Sequence, residues 1–214
     1  MADPQLWKLN ELIAFESLTL EQRVLNLELW RRKVDESLAG APGIPSRLIV
    51  SSPVDPLAFG AWGGDWFDAT GYDVEYGDLK HIHTGADLNR PGYRDSGAPV
   101  YAAADGIVRY SGVAGGWQGQ VVVIEHSDRG AAVWTRYAHL MDVIAKMESL
   151  IVRGTQIGVI ADYNQNGPKG DHLHYDVARR IDLGKKPADW PGIDQARVLR
   201  DYINPLEWHT EHTP

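Results

Sequence analysis

The chain has 214 residues, 43% hydrophobic and 23% charged, which is enough for a soluble globular core without staples. Its formal net charge of −8 argues against nucleic acid as a partner, because a phosphate backbone rewards clustered Lys and Arg. A cationic polymer or a small neutral substrate suits this surface better. The absence of cysteine excludes disulfide scaffolds and thiolate metal sites.

Residues 1–20 carry Asp3, Lys8, Glu11 and Glu16 among their apolar positions, so no signal peptide is visible. No apolar run approaches the length of a membrane span. Asp3-Pro4 offers an N-cap with Pro at the first helical position, and Leu6, Leu9, Leu12 and Ile13 follow at helical spacing. Thr19 and Gln22 fit a capping box ahead of a second stripe, Leu20, Val24, Leu27, Trp30, Val34 and Leu38. Consecutive breakers from Ala39 to Pro45 end it. A helical N-terminal extension with its linker is therefore expected over residues 1–45.

From about Arg47 the pattern changes to short β-runs separated by glycine: Val100–Ala103, Gly106–Tyr110, Gln120–Glu125, Val133–His139 and Gln156–Ala161. Such spacing predicts a mainly β domain over residues 46–210, an antiparallel sheet of sandwich-like character rather than βαβ units. One short helix is expected over Ile193–Tyr202, and residues 211–214 read as a tail. Trp62, Trp66, Tyr72 and Tyr76 cluster with Gly60, Gly63 and Gly64 and are expected to line a groove. Tyr137 joins Trp62, Trp66 and Tyr76 as a candidate groove residue.

Three elements carry candidate chemistry. On an extended strand over 171–177, Leu173, Tyr175 and Val177 share one face, while His172, His174 and Asp176 share the other. His83 and Asp87 are expected to converge across a tight turn at Gly85, giving an imidazole and a carboxylate suited to zinc or iron(II). His139 closes the run Val133, Thr135, Tyr137 on one face of a third strand. A zinc hydrolase needs three ligands, an open position and groups to handle protons. His83, Asp87 and one of His172 and His174 would supply the ligands. The other, with His139, would supply acid–base chemistry. An iron(II) oxygenase also uses two His and a carboxylate, but has no use for the two further histidines. His126 is expected at a strand end, His209 and His212 in the polar tail, and His81 as a second-sphere or spare polar group.

These residues also carry a family resemblance. The stretch 83–88 (HTGADL), the stretch 97–108 (GAPVYAAADGIV), Gly119–Glu125, Tyr137-Ala138-His139-Leu140, Val152–Gly158 and His172-Leu173-His174-Tyr175 resemble, in order and spacing, lysostaphin/LytM-type peptidases of family M23. The resemblance spans roughly residues 46–178. It implies a LytM-type fold and a single-zinc metalloendopeptidase acting on peptide cross-links of bacterial peptidoglycan, at the cell envelope or secreted. It implies zinc ligation by His83, Asp87 and His174, with His139 and His172 as catalytic residues. Gly170-Asp171 before the second pair, Tyr175-Asp176 after it and the loop Ala161–Gly170 depart from the family pattern without removing a ligand. Members that have lost ligands act as non-catalytic regulators of other wall hydrolases, and the helical extension keeps that alternative in view.

Overall fold

The glycine-punctuated β-runs beyond residue 47 all form strands, most of them within two residues of the expected bounds. A computed structural model describes residues 48–92, 95–162 and 170–214. The helical extension expected over 1–45 and most of the loop Ala161–Gly170 lie outside the described residues. In chain order the strands are β1 (Phe67–Thr70), β2 (Glu75–Tyr76), β3 (His81–Ile82), β4 (Gly85–Asn89), β5 (Pro99–Tyr101) and β6 (Gly106–Gly112). They continue with β7 (Gln120–Asp128), β8 (Ala131–Met141), β9 (Leu150–Ile151), β10 (Gln156–Ile160), β11 (Leu173–Ala178) and β12 (Tyr202–Ile203). Two short helices, α1 (Gln195–Asp201) and α2 (Pro205–Glu211), flank β12.

Every strand pairing is antiparallel, as expected from the short connections. The main sheet runs β1-β4-β11-β8-β7-β6-β9, with β10 on β8 and β5, and β12 on β11. β2 and β3 form a separate two-stranded ribbon. The sheet buries apolar residues on both faces. Leu88, Val122, Ile124, Tyr137, Leu140, Leu173, Tyr175 and Val177 belong to the larger cluster, and Val121, Val123, Ala138, Ala178 and Leu183 to the smaller. Strand β11 thus alternates as expected, sending Leu173, Tyr175 and Val177 into the core and leaving His174 and Asp176 on the opposite face.

Two local expectations change. Gly85 begins a strand and makes no tight turn: a Cβ there would lie 2.2 Å from the Tyr175 carbonyl oxygen, so glycine is required for the close approach of β4 to β11. In β8, Tyr137 faces Val122 while Leu140 faces Gln120, so three steps on β8 match two on β7. This one-residue bulge contains His139, which has a left-handed φ of 65°. The bulge breaks the alternation, sending Tyr137 and Leu140 into the same core cluster and His139 elsewhere. The shared face of Tyr137 and His139 expected from strand parity does not form.

The end of the described chain is packed. Asn204 accepts from the backbone amides of Leu206 and Glu207, and Pro205 opens α2, so the pair starts a second helix, one not expected from the sequence. His209 and His212, expected in a polar tail, are buried. His209 Nε2 lies 3.1 Å from the Tyr175 hydroxyl, and His212 Nδ1 donates to the Trp208 carbonyl at 2.7 Å. His126 is also buried, donating from Nδ1 to the Asp105 carbonyl at 2.8 Å and meeting Thr135 Oγ1 at 2.8 Å through Nε2.

Burial pushes His126 down to about 4, and burial together with His212 pushes His209 down to about 3. Unfolded histidine titrates near pH ~6.5, so as pH falls through that value only the unfolded chain takes up these protons. Their contribution is complete above about pH 6.5 and is lost as pH falls, by about 1.4 kcal/mol per group per pH unit. Asp68, which burial raises to about 6, acts in the opposite sense between about pH 4 and 6 and offsets one of the two histidines. Denaturant titration at about pH 5 is therefore expected to show a lower midpoint than at about pH 7. Equal midpoints would contradict the assignment of two neutral buried rings.

Candidate metal centre and cleft

Strands β4 and β11 lie side by side with Asp87 opposite His174, while His83 lies two residues before the start of β4. Their ligand atoms converge: His83 Nε2 is 3.1 Å from Asp87 Oδ1 and 3.0 Å from His174 Nδ1, and His174 Nδ1 is 3.1 Å from Asp87 Oδ1. No other group of three such residues comes together among the described residues.

Outer partners set the tautomers. His83 Nδ1 lies 3.1 Å from the Gly71 carbonyl and His174 Nε2 lies 2.9 Å from Asp176 Oδ2, so each ring places its proton on the outward nitrogen. Three lone-pair atoms then face one another with no proton between them, an arrangement that a cation would relieve. Tetrahedral zinc with ligands at about 2.0–2.1 Å has ligand–ligand edges of about 3.3 Å, close to those seen. The residues therefore fit a small divalent cation. Burial alone would raise Asp87, but the neighbouring His174 and His83 hold its carboxyl well below the usual range, and it stays an anion.

His174 rests on a buried polar hub. Asp176 Oδ2 accepts from His174, from Thr84 Oγ1 at 3.0 Å and from Nε and Nη2 of Arg136. Both Arg136 and Asp176 are fully buried. The remaining nitrogen of Arg136 donates to the carbonyls of Pro187 and Asp189, and its guanidinium lies 4.4 Å from the Trp117 ring centroid.

The other two histidines flank the three. His172 donates from Nδ1 to the Gly170 carbonyl at 2.8 Å, which leaves Nε2 3.5 Å from Asp87 Oδ1. His139 donates from Nδ1 to the Gln118 carbonyl at 3.1 Å, and its ring centroid lies 4.6 Å from that of His172. Burial, His172 and His174 push His139 down to about 3, so its ring is neutral at neutral pH. All five residues expected to carry metal and proton chemistry are thus brought together.

The expected groove residues divide. Trp62 is buried with its ring 5.1 Å from His209, and Tyr137 is buried with its hydroxyl accepting from the Ala103 amide, so neither lines a groove. Trp66 packs against the core beneath the guanidinium of Arg90. Tyr72 turns its hydroxyl to the carbonyls of Val198 and Tyr202. Tyr76 alone of the set borders the site, 5.4 Å from the His83 ring. The cleft, about 340 Å³, is lined by Tyr76, His81, Gly115, Gly116, Trp117, His139, Ala188 and Trp190. His81 therefore faces the cleft and stays outside the ligand cluster. A larger depression of about 540 Å³, lined mainly by Arg180, Lys186, Arg197 and Arg200, contains none of the histidines. Trp117 and Trp190 carry no periodicity or metal-ligand spacing; only the glycine pair before Trp117 hints at an open approach.

The model of peptidase family M23 matches residues 81–189, just over half of the chain. The DD-carboxypeptidase/endopeptidase Mpg of Neisseria meningitidis is 36% identical over 96 residues, which is 45% of this chain and 20% of that protein. The cell division protein DipM of Caulobacter vibrioides is 30% identical over 95 residues, 44% of this chain and 15% of that protein. The matched stretch thus spans a fifth or less of these relatives' length. Among solved structures, lysostaphin from Staphylococcus simulans superposes with a TM-score of 0.52 at 16% identity, over 72% of this chain and 54% of that one, which shows the fold.

Proposed function

Because the chain belongs to peptidase family M23, we propose that it is a zinc metalloendopeptidase that hydrolyses peptide cross-links of peptidoglycan. The convergence of three lone-pair atoms from His83, Asp87 and His174, beside two oriented histidines, carries this reading. The endopeptidase named among the relatives supports the reaction class. The catalytic unit is assigned to residues 46–210, with 1–45 as an extension of separate role. A peptidoglycan substrate places the protein at the cell envelope or outside the cell.

His83, Asp87 and His174 would hold the zinc, with Asp176 and the Gly71 carbonyl fixing the two rings. When bound, zinc supplies a Lewis acid that polarises a peptide carbonyl and acidifies water. His139 and His172, each with Nδ1 committed to a backbone carbonyl, present Nε2 for proton transfer. One ring takes a proton from the attacking water as its oxygen adds to the scissile carbonyl carbon. The other, when it also carries a solvent-derived proton on Nε2, can donate a hydrogen bond to the carbonyl oxygen as negative charge develops there. The same proton then passes to the leaving nitrogen as the C–N bond breaks, giving a carboxylic acid and an amine, which end as carboxylate and ammonium once the acid's proton is transferred.

The test is digestion of isolated peptidoglycans of different cross-bridge types, with mass analysis of released fragments and metal analysis of the protein. About one zinc per chain and cross-link cleavage that stops on chelation and returns with zinc are expected. A zinc-free protein that releases no fragments would instead point to a non-catalytic wall-binding module.

A further inference from the structure

Trp190 lies one residue beyond the stretch matched to the family, and metal or proton chemistry does not call for it. Its indole nevertheless meets four side chains of the site edge-on: Trp117 at 5.1 Å, His174 at 5.7 Å, Tyr76 at 6.2 Å and His83 at 6.3 Å between centroids. The ring is only partly buried and borders the cleft. Its backbone is held firmly. Arg136 binds the carbonyls of Pro187 and Asp189, and the Asp189 carboxylate is taken by Arg197 and by the Tyr202 hydroxyl. A firmly held, partly exposed indole beside the converging histidines makes a good binding surface, since tryptophan offers a large contact area at low conformational cost. Gly115, Gly116 and Ala188 add almost no side chain to the same cleft, leaving room for a ligand beside the rings.

We propose that Trp190, backed by Trp117, is a substrate-binding wall of the cleft, stacking against an extended, uncharged peptide segment next to the scissile bond. This rests on the peptidase reading for its substrate. A purely structural Trp190 would show itself through stability or zinc content; a binding wall acts on substrate affinity.

The test compares the wild type with Trp190→Ala and Trp190→Phe, using soluble cross-linked muropeptide dimers as the probe. Trp190→Ala is expected to raise KM about 2–10-fold, with zinc content and melting temperature at wild-type values, and Trp190→Phe to recover most of the loss. An unchanged KM, or a loss of zinc, would overturn the proposal. Calorimetric binding of the same dimers separates the two readings. If the zinc-loaded wild type binds them without cleavage and Trp190→Ala binds more weakly, the peptidase reading fails and the wall stands. If the wild type does not bind them, the wall itself fails.

Discussion

Replacing His139 with alanine is expected to lower kcat/KM for cross-link hydrolysis by ~10²–10⁴-fold while zinc remains bound. The ring sits beside His172, with its Nδ1 proton held by the Gln118 carbonyl, and it is absent from the converging ligand set. Removing it takes away a proton acceptor without exposing a ligand. His174→Ala provides the contrast: it removes one of the three convergent atoms and leaves Asp176 without one of its donors, so zinc and hydrolysis should be lost together. Activity assays paired with metal analysis distinguish the two outcomes. Zinc loss in His139→Ala would show that the division between ligand and acid–base residues is wrong.

The second large effect concerns stability. Arg136→Ala would leave the Asp176 carboxylate buried without its cation, and would remove the donors to the Pro187 and Asp189 carbonyls. Breaking a buried pair by deleting one partner costs about 3–5 kcal/mol, because the remaining charge keeps its full desolvation penalty. For a domain of this size that corresponds to a fall in melting temperature of roughly 6–20 °C. The folded fraction of the variant should also bind zinc less tightly, since Asp176 orients His174. A melting temperature within about 2 °C of wild type would show that solvent reaches the pair.

What was legible in the sequence follows from how local each signal is. Alternation along β11 placed Tyr175 in the core and His174 on the opposite face because period 2 is a property of any strand. The converging set of His83, Asp87 and His174 was legible through the family resemblance, since strand parity alone left His172 and His174 as alternatives, and Gly85 serves strand approach and not a turn. Parity failed at His139 because an inserted residue in β8 is set by pairing with β7, which no single-strand pattern records. The groove aromatics failed for a related reason. Trp62 and Tyr137 are large aromatic residues like Trp117 and Trp190, and only the tertiary arrangement decides which rings pack inside and which border the cleft. The second helix, α2, was not expected, although Asn204-Pro205 carries an N-cap and first-turn proline signal for it.

The bulge in β8 has a consequence for comparing this chain with its relatives. His139 reaches the other histidines because the strand holds one residue more than its neighbour can pair, so its placement is encoded as a surplus in length as well as a residue type. A homologue could keep every histidine and still place this one differently if a deletion between Tyr137 and Leu140 restored a regular ladder, because the left-handed backbone that aims the imidazole would be gone. Counting residues across that interval would therefore sort copies that keep this placement from those that do not, where matching the histidines alone would not.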